Sequence, residues 1–409
     1  MKSIRVRMFS MMAIALAMLV GVVLLVVIAI PAHGQTETVL YSFSGTPSSG
    51  PDGAYPLSGP ILQGTTLYGT TSQGGSAGNG TVWGVSTATG KETILYNFQG
   101  EPYDGWFPYG GLAYYKGSFY GTTTNGPTEP EDAAGTVFKI SKSGKKYVET
   151  ILHLFTGNPD GLNPGYVMPV FDKEGNLYGT TEGGGLPGQS NGIVFKLAPD
   201  GVETILHSFN PEQGDGMTPM SGVTLDKKGD IYGTTAAGGK YGYGTLYELT
   251  AAGDYSVLYN FTGGNDGELP YSPPVLDKKG NLYGTTEQGG SGEYGTLYQF
   301  DPATSQIAIL HSFSGSPNDG GRPWAGALVF DKEGNLYGTT SSGGYGDCGG
   351  VGTIYKLAAD GTETILVNFD CSNGQVPLGG VVFDKAGNLY TTTEAGGATP
   401  NGTVIKLTP

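Results

Sequence analysis

The sequence predicts an all-β protein, a seven-bladed β-propeller of four-stranded antiparallel blades, and three observations carry that expectation. A short phrase, an aromatic followed by Gly-Thr-Thr, recurs at Tyr68, Tyr120, Tyr178, Tyr232, Tyr283, Tyr337 and Tyr390 with a period of 51 to 58 residues, Thr391 replacing the glycine in the last copy. Periods of this size belong to solenoids, propellers and arrays. Each period divides into four short apolar runs separated by turn residues, the signature of an all-β sheet protein. No stretch after Gln35 carries a helical period.

The copy from Pro164 to Phe209 shows the elements in order. A first strand is expected over 166–171, followed by Asp172-Lys173-Glu174-Gly175-Asn176, whose Gly and Asn supply the positive-φ positions of a tight hairpin. The second strand is Leu177 to Thr181. A Gly-rich loop leads to the third, Ile193 to Leu197, and Pro199-Asp200-Gly201 turns the chain into the fourth, Glu203 to Phe209.

Counting strands by type predicts how the ring closes. Fourth-type strands fall at 37–43, 92–98, 149–155, 203–209, 255–261, 307–313 and 363–369, while the last unit stops at Thr403 to Leu407 without one of its own. The segment 37–43 is therefore expected to complete the last blade, which removes two exposed strand edges at the seam. One domain is expected over 35–409. The 73 Gly and 25 Pro among 409 residues, about 24 % together, then punctuate strands; without a period such a content would signal disorder.

The N-terminus reads as an export segment over 1–34. Lys2, Arg5 and Arg7 precede an uncharged, mostly apolar stretch from Met8 to Ile30, and Ala32 and Gly34 offer a small-residue cleavage site. The 23-residue stretch is longer than the usual secretory core and long enough to span a bilayer, so both a cleaved signal peptide and a retained signal anchor are open. Either places the ring outside the cytoplasmic membrane, with membrane contact only through this segment if it is uncleaved. The two cysteines, Cys348 and Cys371, belong to one repeat, in loops expected on the same face. In an exported chain this pair is read as a disulfide, the alternatives being free thiols or a redox site. The net charge of -15 argues against nucleic acid, which needs a basic footprint.

Chemistry is sparse. The connections opening the repeats contain Asp52-Gly53, Asp104-Gly105, Asp160-Gly161, Asp215-Gly216, Asp266-Gly267 and Asp319-Gly320, with Asn373-Gly374 in the last copy. One Asp per blade is expected to cap its own turn and not to share a metal, and Asp172, Asp226, Asp277, Asp331 and Asp384 are read the same way. His153, His207 and His311 occupy a position filled elsewhere by Tyr41, Tyr96, Tyr259 and Val367, which reads as packing. No nucleophile elbow, zinc-protease helix or phosphate loop is present, so no catalytic residue, metal or cofactor is assigned.

What differs between the copies is then the place to seek function. Tyr55, Trp106, Phe107, Tyr109, Tyr166, Tyr271 and Trp324 lie in or just after the Asp-Gly connections, Arg322 stands beside Trp324, and Glu182, Glu287 and Glu394 follow three of the Thr-Thr pairs. Rings with an apolar face and polar edge stack on sugars or anchor a protein; the alternative is that they fill gaps between blades.

The phrases Glu203-Thr204-Ile205-Leu206-His207-Ser208-Phe209, Gly175-Asn176-Leu177-Tyr178-Gly179-Thr180-Thr181 and Gly295-Thr296-Leu297-Tyr298 resemble the GloVer (Gloeo/Verruco) tandem repeat of exported bacterial proteins, over about residues 37 to 409. The resemblance implies an exported, propeller-like repeat protein and supplies no catalytic residues. The resulting expectation is a non-catalytic scaffold binding a glycan or a protein through one aromatic-rich face. The alternatives are a propeller-type enzyme, lactonase-like or polysaccharide-lyase-like, with a site in the central channel, and a purely structural surface protein.

Overall fold

The structure, a computed structural model, describes residues 35–45, 52–127, 134–346 and 348–409; the expected export segment 1–34 lies outside them. Seven four-stranded antiparallel sheets are arranged as consecutive blades, each ordered first to fourth strand. Blade one comprises Ile61–Gln63, Thr66–Thr71, Thr81–Ser86 and Glu92–Asn97. Blade seven comprises Val382–Phe383, Leu389–Thr393 and Thr403–Thr408, completed by the N-terminal Thr36–Ser42. That closing strand pairs antiparallel with Thr403–Thr408, Val39 opposite Ile405 and Ser42 opposite Thr403, as the strand count predicts.

First strands are shorter than expected. In blade three the strand is Val170–Phe171, so Tyr166, placed in a strand by its sequence, lies in the preceding turn. Pro164 and Pro169 lack the N–H a ladder needs, so pairing begins only beyond them. In blade two the outer hairpin is longer instead, its fourth strand running Lys146–Leu154.

The core is not one mass but seven hydrophobic clusters, each drawn from two adjacent blades. At every interface the phenylalanine closing a fourth strand (Phe43, Phe98, Phe155, Phe209, Phe261, Phe313, Phe369) is fully buried. Six of them meet an aromatic on the third strand of the next blade, Phe43 against Trp83 at 5.5 Å and Phe98 against Phe138 at 5.1 Å being examples. At the seam, this contact is what docks the N-terminal strand against blade one.

That packing explains the repeated phrase residue by residue. The glycine faces the third-strand aromatic of its own blade: a Cβ on Gly69, Gly121, Gly179, Gly233, Gly284 or Gly338 would lie closer than 3.0 Å to Trp83, Phe138, Phe195, Tyr247, Tyr298 or Tyr355. In blade seven the partner is the smaller Ile405, directly opposite Thr391, so the exception in the sequence is a matched pair. In six blades the first threonine reaches the next blade, as Thr70 Oγ1 does to the Gly110 carbonyl at 2.8 Å and Thr392 to Ser58 across the seam at 2.7 Å; Thr285 bonds Ser272 of its own blade instead. The second pairs with the third strand, Thr71 with Thr81 at 2.8 Å and Thr393 with Thr403 at 2.7 Å. In blades three, five, six and seven the tyrosine hydroxyl donates to the hairpin aspartate, as Tyr178 does to Asp172 at 3.0 Å and Tyr390 to Asp384 at 2.9 Å, while Tyr232 donates to Glu248 instead.

The aspartates opening the repeats do more than cap turns. Asp104 accepts the Gln99 and Gly100 amides at 2.8 and 2.7 Å and also the Tyr96 hydroxyl. The same clamp joins Tyr41 to Asp52, His153 to Asp160, His207 to Asp215, Tyr259 to Asp266 and His311 to Asp319. The histidine position is therefore a hydrogen-bonding one, not merely a packing one. Val367 stands there only in the blade whose following connection carries Asn373 instead of Asp.

Beside two of these clamps sit Glu92 and Glu149, whose Oε1 atoms are buried without a hydrogen-bond partner. Burial, with the neighbouring Asp52 and Asp104 charges, pushes each carboxyl up to about 7. The folded chain then holds protons that the unfolded chain has released above about pH 4.5. Their stabilising contribution is complete below that pH and lost as pH rises through about 7, so thermal midpoints are expected to fall between about pH 5 and pH 8. Glu92→Gln with Glu149→Gln should flatten that slope; an unchanged slope would refute the assignment. A second expectation concerns the glycine. Gly284→Ala should cost about 1 to 3 kcal/mol in denaturant unfolding through overpacking, and less than half of that in a Tyr298→Ile background. Equal costs in both backgrounds would show that the aromatic is not the reason for the glycine.

Candidate functional site

One backbone position recurs in all seven connections, the residue before proline in Asp-Gly-x-X-Pro or its Asn373 variant. It is occupied by Tyr55, Phe107, Asn163, Thr218, Leu269, Arg322 and Val376, all with φ between 55° and 60°. The left-handed region costs an L-residue roughly 1–2 kcal/mol, more for a β-branched Thr218 or Val376. Two hydrogen bonds hold each copy there. The amide donates to a carbonyl of the preceding blade, from Arg322 to Tyr294 at 2.7 Å and from Asn163 to Ala134 at 2.8 Å. The carbonyl accepts the amide of the residue after Thr-Thr, from Glu182, Glu287 and Glu394 among others, at 3.0 to 3.1 Å. Local pairing frames the position in every blade, as with Gly53–Ala54 on Gln73–Gly74 or the Trp106–Asn125 bridge.

An invariant, strained backbone thus carries seven chemically unlike side chains on one face, next to a second ring formed by Ser72, Thr124, Glu182, Ala236, Glu287, Ser341 and Glu394. Strain that the fold over-determines, where side-chain identity is left free, is a mark of a functional surface. Tyr55, Phe107 and Arg322 stand out in the sequence as candidates, but their shared position emerges from the backbone. The signal was available: a residue before proline whose chemistry changes in each copy.

The structure brings the aromatic candidates together with one exception. Trp106 stacks on Phe107 (5.6 Å, 9° between planes) and Phe107 on Tyr109 (6.1 Å, 25°). Tyr109 meets Tyr166 at 5.4 Å, Tyr166 meets Trp324 at 6.4 Å and Trp324 meets Tyr271 at 4.5 Å. Tyr166 belongs to blade three and Trp324 to blade six, so the contact reaches across the central axis. Tyr55 lies outside this chain among the described contacts. All seven aromatics are half-buried.

An axial cavity of about 220 Å³ adjoins this mouth, lined by Tyr109, Tyr166 and Met168 and otherwise mainly by glycine, proline, alanine and aliphatic residues of the connections leading into the first strands. Carboxylates approach from the rim. Burial pushes up the carboxyls of Glu182, Glu287 and Glu394. Burial, reinforced by Tyr109 and by the Glu394 and Glu182 charges, raises the Tyr166 phenol to about 12. Glu182 accepts a hydrogen bond from Asn163, and Arg322 Nη1 lies 3.7 Å from Glu287 Oε1.

A metal could be held elsewhere. The ligand atoms of His311, Asp319 and Glu363 lie within 4.8 Å of one another, a constellation invisible in the sequence because Glu363 comes from the neighbouring blade. Two other clamps, Tyr41–Asp52 with Glu92 and Tyr96–Asp104 with Glu149, repeat the arrangement with a phenol in place of imidazole, so the grouping recurs where a metal-ligating imidazole is lacking. The structure joins Cys348 to Cys371 as a disulfide with Cα atoms 6.0 Å apart.

Among solved structures, the extracellular domain of a one-component system from B. thetaiotaomicron is similar at a TM-score of 0.55 and 11% identity, over 89% of this chain and 39% of that one. This chain thus spans about two fifths of that relative. The oligogalacturonate lyase of Vibrio parahaemolyticus is similar at 0.54 and 11% identity, over 91% of this chain and 93% of that one. At such identities the likeness shows the shared propeller fold alone. No curated protein matches the chain. The Gloeobacter/Verrucomicrobia repeat matches residues 26–228 and 219–409. The chain belongs to the Gloeobacter/Verrucomicrobia repeat family.

Proposed function

We propose that this chain is an exported, non-catalytic binding scaffold whose ligand is a glycan seated on the aromatic mouth of the central channel. The observation that carries the reading is the run of half-buried rings from Trp106 through Tyr109 and Tyr166 to Trp324 and Tyr271, which converges on the axis from four blades. Half-buried aromatic side chains beside a concavity suit a sugar, with its apolar C–H face and polar rim, better than the flat packing of a protein partner. Export is supported by the basic and then apolar N-terminal stretch and by the disulfide, which persists in oxidising compartments.

The enzyme reading fares less well on two counts. A channel site needs several unlike polar groups converging on a reacting atom, whereas the axial cavity offers glycine, proline and aliphatic walls with few hydroxyls. A lyase acting on an oligogalacturonate would also bring a polyanion to a rim that already carries Glu182, Glu287 and Glu394.

Glycan-array screening followed by calorimetry tests the proposal. Tyr166→Ala and Trp324→Ala, at the centre of the mouth, should each weaken binding by about 2 kcal/mol or more, and Trp106→Ala, at its outer end, by less. Undiminished affinity in both central variants would sink the aromatic-mouth reading, and turnover of the bound glycan would replace it with an enzyme.

A further inference from the structure

We propose that the glycan taken by the mouth carries free amino groups, making the ligand a cationic amino sugar; this rests on the glycan reading above and narrows it. The rim position after Thr-Thr holds glutamate in blades three, five and seven, where the other four blades carry Ser72, Thr124, Ala236 and Ser341. The backbone contacts made there are the same in all seven blades, so the fold does not ask for charge at this position.

The three glutamates are held beside the ring-bearing connections: the Glu182 amide bonds the Asn163 carbonyl three residues before Tyr166, the Glu287 amide bonds the Leu269 carbonyl two residues before Tyr271, and the Glu394 amide bonds the Val376 carbonyl at the equivalent point of blade seven. Their charges reach Tyr166 and Tyr271, in keeping with that placement. Their compensation is incomplete. Glu287, 6% exposed, faces Arg322 across 3.7 Å, while Arg322 itself is exposed. Glu182 receives only the neutral Asn163 amide, and the Glu394 carboxyl has no hydrogen bond or ion pair among the described residues. One guanidinium against three carboxylates leaves the rim negative.

Aromatic faces and partly desolvated carboxylates attract charge of the same sign. An ammonium group beside Tyr166, Tyr271 or Trp324 gains a cation–π contact and, on reaching Glu182 or Glu394, a charge-assisted hydrogen bond. A uronate or sulfate in the same place meets repulsion that low local dielectric strengthens. An amino sugar satisfies both halves of the site, its C–H face lying on a ring while its amine reaches the rim.

The test compares chitosan oligosaccharides, their fully N-acetylated counterparts and cello-oligosaccharides of equal length, by calorimetry on the full chain at about pH 6, where a large share of the sugar amines carries a proton while ordinary carboxylates are ionised. The amine-bearing ligand should bind about tenfold more tightly than the other two, and the preference should shrink as salt is raised. Glu182→Gln and Glu394→Gln, which conserve shape, should each lower that preference several-fold with the thermal midpoint checked in parallel. Equal or tighter binding of the acetylated or neutral ligands would overturn the charge assignment and leave the glycan reading standing. Binding of a lysine-rich peptide with none of the three glycans would overturn both. The wild-type comparison and its salt dependence decide the matter even if a variant fails to fold.

Discussion

The contact on which the rest depends is the insertion of each blade's closing phenylalanine into the third strand of the next. A four-stranded blade exposes two apolar faces and cannot bury either by itself. Phe43, Phe98, Phe155, Phe209, Phe261, Phe313 and Phe369 are all fully buried because each enters a neighbour. The third-strand aromatic that meets the phenylalanine in six of the blades has room because the second strand of its own blade carries glycine, where a Cβ would collide with that aromatic. Threonine replaces glycine where isoleucine replaces the aromatic, as Thr391 and Ile405 show. Stability is therefore distributed around seven equivalent joints, and the one that joins the chain's two ends, Phe43 on Trp83, is built like the others.

Polar groups follow the same logic of neighbours. The Asp–Tyr and Asp–His clamps tie the end of a fourth strand to the connection leading into the next blade. The connection then rises to a residue forced into the left-handed region, with its amide bonded to the blade behind and its carbonyl to the blade ahead. Because backbone atoms alone define that residue, its side chain is released from any structural duty. A repeat protein that fixes main chain and frees side chain at one point per blade has a ring of independently variable positions around its axis. Here that ring and its partner hold Arg322, Asn163, Phe107 and three glutamates, the materials of recognition.

The combination of half-buried rings, an apolar axial cavity and acidic rim groups with raised pKa is also a store of unspent interaction. Burial raises the carboxyls of Glu182, Glu287 and Glu394 because the fold withdraws them from water without giving each a cation. Folding alone gains nothing from that arrangement; a bound cation would.

Much of this was written plainly in the chain. The period, the four strands per period and the orphan fourth-type strand at 37–43 determine the blade count and the closure, because periodic apolar patterns and turn residues act locally and repeat without interference. The same repetition concealed the rest. Tyr41, Tyr96 and His153 look interchangeable by packing until their aspartate partners are seen to lie 7 to 11 residues further along the chain. Tyr166 reads as strand until the prolines around it deny it a ladder. Tyr166 and Trp324 stand 158 positions apart in the sequence, and only a closed ring brings their centroids to 6.4 Å. Local patterns decide what each blade is; which unlike side chains meet over the axis is decided by the curvature that seven blade interfaces impose, a property no single repeat contains.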